Sequence, residues 1–174
     1  PRAYCRIDFP EKKYSLLNDS CPFVFEYPVY ATIVPVPEHD KEPCWKSICF
    51  PLFNAQIYLS YKTINCNLRQ YIEDSHTLAF KHQIKASGMP ETLVKIDSTN
   101  VYGLIFGIEG NAASSLQFYL TDSVRHFVRG ALYFYSRPNY DSLAPVIDFL
   151  KKDVDRMIAT FRWKKTEKKY TNAK

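Results

Sequence analysis

Glycine is scarce in this sequence, with five residues in 174. That excludes a glycine-rich nucleotide-binding fold and a low-complexity chain. No apolar run approaches the roughly 20 residues that a membrane-spanning helix needs. A basic-then-apolar leader is also missing, and the sequence begins at Pro1, which reads as a mature or trimmed chain whose targeting segment has been removed. The body lacks a surplus of either charge. The net charge is +5, but the segment from Lys164 carries Lys164, Lys165, Lys168, Lys169 and Lys174 against Glu167 alone. The near-neutral remainder argues against a nucleic-acid-binding face. Residues 165–174 are expected as a basic, mobile tail behind a single domain over 1–164.

Aromatic residues are plentiful instead, with 13 Tyr and 12 Phe, which suits a half-buried β-sheet because flat rings pack well on a pleated surface. A chain of this length buries a core without staples. Five cysteines (Cys5, Cys21, Cys44, Cys49 and Cys66) nevertheless suggest an oxidising compartment such as the periplasm. The odd count leaves at least one thiol unpaired within the chain. Cys21 and Cys44 bracket "CPFVFEYPVYATIVPVPEHDKEPC", and closing that loop would stabilise by about 3 kcal/mol in the chain-entropy picture. Spacing alone leaves the pairing open.

The first third is extended and punctuated by proline. "YCRIDFP" alternates as a strand, and "FVFEYPVYATI" reads as a second one that Pro28 demotes to an edge or a bulge. Residues 34–43 form a loop, and "WKSICF" and "AQIYLSYK" give two further strands around "PLFNA". A helix capped by Asn65 or Asn67 then places Leu68, Tyr71, Ile72, Leu78, Ala79 and a partly buried His82 on one face, running to about Ala86 before "SGMP". Four closely spaced strands follow in "TLVKID", "NVYGLIFGIEG", "SSLQFYLT" and "RGALYFYS", and short spacing favours antiparallel neighbours. The last element is a helix from "RPNYD", with a stripe from Leu143 through Leu150 and Val154 to Phe161 and with Pro145 in its first turn. The expected fold is α+β, a mostly antiparallel sheet packed by two long helices.

Two Asp-Ser-His clusters invite a hydrolase reading. Asp74, Ser75 and His76 are consecutive on a helix, where neighbours diverge by about 100° and cannot converge on one reacting atom. Asp122, Ser123 and His126 stand between two strand patterns. A serine nucleophile there would need oxyanion donors, and no G-x-S-x-G elbow is present. Asp122 and Ser123 are therefore expected to shape a turn, with Arg125, His126 and Arg129 on a strand surface as candidate partner-contact residues. A zinc site drawn from His39, Cys44, Cys49 and Cys66 matches no compact spacing. Cys66, near a helix start, reads as a half-buried thiol or a disulfide partner, and "GIEGN" as a tight turn. No catalytic residue, metal site or cofactor is expected.

The strings "PRAYCRIDFPEKKY", "CPFVFEYPVYA", "PCWKSICFPLFNAQIYLSYK", "NLRQYIEDSHTLAFKHQIKA", "NVYGLIFGIEGNAASSLQFYLTDSVRHFVRGALYF" and "PNYDSLAPVIDFLKKDVDRMIATFRWK" resemble, in order, the gliding-motility lipoprotein family GldD of Bacteroidota. The resemblance spans Pro1 to about Lys164. It implies a cell-envelope lipoprotein held to a membrane, by preference the outer membrane, through a lipidated cysteine upstream of Pro1. The domain would sit in the periplasm or at the surface. It also implies work with other lipoproteins in gliding and type IX protein secretion, and carries over no catalytic residues. "SCP" and "PCW" match the family pattern, which implies a Cys21–Cys44 disulfide. The element order ending in "TFRW" is similar to the PsbP-like fold, an analogy that assigns no function. The expectation is a non-enzymatic component or assembly factor that binds envelope proteins. The rivals are a hydrolase on Asp122, Ser123 and His126, and a small-ligand or lipid-binding module with a pocket between sheet and helix.

Overall fold

The computed structural model describes residues 7–36, 42–135 and 140–165. Along the chain run β1 (Tyr14–Leu17), β2 (Phe23–Pro28), β3 (Thr32–Pro35), β4 (Lys46–Phe50), β5 (Ala55–Thr63) and α1 (Leu68–Phe80). Then come β6 (Ala86–Gly88), β7 (Glu91–Ile96), β8 (Val101–Gly107), β9 (Glu109–Gly110), β10 (Ser114–Thr121), β11 (His126–Phe134), α2 (Tyr140–Thr160) and β12 (Arg162–Trp163). Seven strands form the main sheet in the order β3-β4-β5-β11-β10-β8-β7, and β1-β2-β12 form a smaller one. Every pairing in both is antiparallel. This is the expected α+β architecture.

Alternation along the central strands assigns the two faces of the main sheet. Leu59 opposes Gly130, Phe118 opposes Gly130 from the other side, and Leu120 opposes Val128. These residues join the core with Phe23 and Phe25 of β2 and with Leu150, Val154, Met157 and Phe161 from α2 and its end. The last four recur at steps of four, three and four, the spacing of one helical face. Gly130 is needed because a Cβ there would lie 2.1 Å from Cζ of Phe118. The opposite face carries Gln117, Tyr119, Arg129, Ala131, Tyr58 and Ser60 in register, and α1 lies across part of it.

Several boundaries differ from the sequence reading. Residues 4–6 of the expected first strand lie outside the described residues, and Ile7–Phe9 are not in a strand; the chain enters a sheet at Tyr14. The expected second strand divides at a turn where the Ala31 N–H bonds to the Pro28 carbonyl. β2 then stays in the small sheet and β3 joins the large one, so the proline marks a change of sheet. The first helix ends at Phe80, and a 3-10 turn over Gln83–Lys85 and β6 follow. Leu78, expected on the buried face, is 36% exposed, because Ser75 and Ala79 are the buried positions of α1. Pro145 lies inside α2 beyond the first turn, where it lacks the N–H for the carbonyl four residues earlier. The basic tail lies, from residue 166, outside the described residues.

Cys21 and Cys44 are disulfide-bonded with Cα atoms 5.6 Å apart. The bond ties the segment entering β2 of the small sheet to the one entering β4 of the large sheet. Replacing both residues by alanine is expected to lower the unfolding free energy by about 3 kcal/mol, the entropy of the opened loop. Urea titration of the oxidised protein and the double variant checks this. An unchanged midpoint would show that other contacts already hold the two sheets together.

Candidate functional site

The Asp122–His126 cluster is a hairpin turn between β10 and β11. Oδ1 of Asp122 accepts from the backbone N–H groups of Val124 at 3.0 Å, Arg125 at 2.8 Å and His126 at 2.9 Å. Burial alone would raise the Asp122 pKa, but these three donors outweigh it and hold the carboxyl below its ordinary range. Ser123 takes a left-handed φ of 67°, and its N–H donates to Oγ1 of Thr121 at 2.9 Å. Nδ1 of His126 lies 2.8 Å from the Tyr61 hydroxyl, and the ring stacks on Trp163 at 5.1 Å. Burial lowers its pKa. The carboxylate thus meets His126 through the main chain, while the imidazole faces Tyr61. Ser123→Ala is expected to change stability by less than about 1 kcal/mol, as at other exposed turns, and to leave function intact. Loss of function in a folded Ser123→Ala protein would revive the hydrolase reading.

The other candidates are dispersed. Asp74 is exposed, Ser75 is buried with its hydroxyl donating to the Tyr71 carbonyl at 2.8 Å, and His76 sets its ring against Phe106 at 5.0 Å. His39 lies outside the described residues; Cys49 is half-buried and Cys66 exposed. Among the described residues no three His, Cys, Asp or Glu side chains converge as a metal-holding group. His82 sits half-buried in the turn past α1, its pKa lowered first by burial and then by the charge of Arg129. Arg125 is exposed beside Val124, which is 68% exposed. Strand alternation puts His126 and Arg129 on opposite faces of β11, so the three candidate contact residues do not form one patch.

The sequence reading named a pocket between sheet and helix only as a rival and assigned it no residues; a groove of about 430 Å³ lies between α1 and the main sheet. Tyr58, Ser60 and Lys62 of β5 line it opposite Phe127, Arg129 and Ala131 of β11. Tyr71, Ser75 and Leu78 of α1 supply one wall, and Trp45 closes the β4 side. The Trp45 indole N–H donates to the Tyr61 carbonyl at 2.8 Å, which fixes the ring. The available signal was the paired alternation Tyr58-x-Ser60-x-Lys62 and Phe127-x-Arg129-x-Ala131, legible as a groove only once β5 and β11 are known to be neighbours. A second hollow of about 560 Å³ lies beside the Asp122 turn, rimmed by Asn100, Arg162, Lys164 and Lys165.

Helix, seven-stranded antiparallel sheet, and then helix with small sheet make an α+β sandwich domain. It is similar in fold to cyanobacterial PsbP (CyanoP) from Synechocystis sp. PCC 6803, whose solution structure aligns with a TM-score of 0.50 over 91% of this chain and 97% of that chain. At 11% identity the likeness is one of fold. The chain belongs to the gliding motility lipoprotein GldD family, whose family model matches residues 1–163. No curated protein matches the sequence significantly.

Proposed function

We propose that this chain is a non-enzymatic, protein-binding component or assembly factor of the gliding and type IX secretion machinery. It would be lipid-anchored to the outer membrane with the domain in the periplasm or at the surface. Family membership over residues 1–163 carries this reading. The Cys21–Cys44 disulfide fits an oxidising compartment. A sheet edge supplies a contact surface: among the described residues β7 pairs with β8 alone, and Leu93 on it is 75% exposed. An edge strand of this kind accepts a strand from a partner through its free backbone groups. Arg125 and Val124 at the β10–β11 turn offer a second exposed contact.

Co-purification from native envelopes under gentle extraction tests it. Other gliding or secretion lipoproteins should be recovered with the wild-type chain. Leu93→Lys should lower that recovery severalfold without changing the melting temperature, since an exposed substitution is expected to cost less than about 0.5 kcal/mol. Recovery of no machinery component would sink the proposal, and undiminished recovery with Leu93→Lys would move the contact away from β7.

A further inference from the structure

Arg129 lines the groove beneath α1 as a half-buried cation. Its guanidinium donates to Oε1 of Gln117 at 2.6 Å and also interacts with the Tyr133 side chain, a neutral partner on the same groove. Among the described residues no carboxylate stands within ion-pair distance of it. Asp74, on the groove wall, is exposed and Lys62 adds a second positive charge. Gln117 is 1% exposed, and its Nε2 has no hydrogen-bond partner. The amide orientation is set by chemistry, because Arg129 only donates and so must face the oxygen, leaving the nitrogen as the orphan. The guanidinium facing the groove therefore has neutral partners and no counter-anion, and behind it, outside the groove lining, a buried amide donor lacks an acceptor. Buried donors are ordinarily matched.

The walls have the opposite character. Trp45, Tyr58, Tyr71, Leu78 and Phe127 make them largely apolar and aromatic. A volume of about 430 Å³ falls inside the range of about 300–1,000 Å³ usual for small-molecule sites. We propose that this groove binds a small amphipathic carboxylate, an aliphatic chain laid along the aromatic wall with its carboxylate on Arg129. Arginine suits that head group because its planar fork takes both carboxylate oxygens. The site is separate from the β7 edge, so its failure would leave the partner-binding reading standing.

Dodecanoate and dodecanol, which share a tail and differ in charge, are suitable probes of the full chain by calorimetry and by the fluorescence of Trp45. Dodecanoate should bind in a saturable one-to-one manner, and dodecanol about tenfold or more weaker, in keeping with a charge-assisted head contact. Arg129→Met should lower dodecanoate affinity about tenfold while leaving dodecanol within about twofold, the signature of losing the head contact only. Leu78→Glu, at the exposed rim, should weaken both probes by blocking the groove and repelling the acid; it decides alone if Arg129→Met does not fold by circular dichroism. No saturable binding of dodecanoate, equal affinity for acid and alcohol, or unchanged binding in a folded variant would each overturn the proposal.

Discussion

Phe161→Ala is expected to lower the unfolding free energy by about 4 kcal/mol, within the range for emptying a buried aromatic site. Phe161 is 2% exposed and sits between the last residue of α2 and the first of β12. Its ring lies 5.6 Å from that of Phe23, 6.0 Å from Phe25 and 4.8 Å from Trp163, edge-on to the last. It therefore bridges the end of the long helix to β2 and β12 of the small sheet, and among the described residues it belongs to a core cluster that reaches into the large sheet. Truncation removes the apolar transfer energy of the ring and leaves a cavity lined by rings from two separate strands, β2 and β12. Such a lining cannot close by moving one element. Phe161→Leu, which keeps most of the volume, should cost less than half as much. Denaturant titration checks both, and a loss below about 1.5 kcal/mol for the alanine variant would mean the site collapses freely.

The elements legible in the sequence are those whose pattern is local. The stripe from Leu150 to Phe161 shows α2 because a helical face repeats every three or four residues. β10 and β11 show themselves as apolar alternation on either side of the Asp122 turn, and the short turn makes them antiparallel neighbours. β1 was not legible. Its four residues run half-buried, exposed, exposed, half-buried, and only pairing with β2 makes them a strand. The break at Pro28 was visible as a proline, but the change of sheet it marks depends on what β2 and β3 each pair with. The groove was hidden for a similar reason. Tyr58 and Ala131 become neighbours only through the β5–β11 pairing, and the contact of Arg129 with Gln117 spans two strands. Family resemblance did not help there, since it carries whole strings and no site residues.

Asp153→Ala is expected to cost about 3 kcal/mol, because it removes the one carboxylate, itself buried, from a partly buried ionic cluster. Asp153 is 2% exposed on the packed side of α2. Oδ1 accepts from the Tyr14 hydroxyl at 3.0 Å and lies 2.8 Å from Nζ of Lys12, while Oδ2 accepts from the Tyr30 hydroxyl at 2.5 Å. Nζ of Lys12 also donates to the Phe149 carbonyl at 2.9 Å and lies 3.2 Å from the centre of the Phe149 ring. One helical residue thus gathers the segment before β1, β1 itself and the turn after β2. An apolar residue at Asp153 leaves the ammonium without its counter-ion and two hydroxyls without their acceptor. Joint replacement, Lys12→Met with Asp153→Leu, should therefore be milder than Asp153→Ala alone, since no charge is left behind.

The same cluster gives the alkaline limb of stability a defined sign. Burial first, and then the Asp153 carboxylate, push the Tyr14 pKa from 10.0 up to about 12, and Tyr30 moves in the same direction. A phenol that keeps its proton longer in the folded protein contributes stability that is whole below the unfolded value of 10.0 and lost as pH rises through about 12. Lys12 acts oppositely. Burial lowers its pKa, so in the interval just below 10.5 the unfolded chain holds more protons and stability rises with pH. Comparing wild type with Tyr14→Phe cancels the lysine contribution to first order. The penalty of Tyr14→Phe should be steady below pH 10.0 and shrink as pH climbs toward about 12. Denaturant midpoints across that span check it. A penalty independent of pH would show that Tyr14 loses its proton as readily folded as unfolded, and that Asp153 does not hold the N-terminal segment through it.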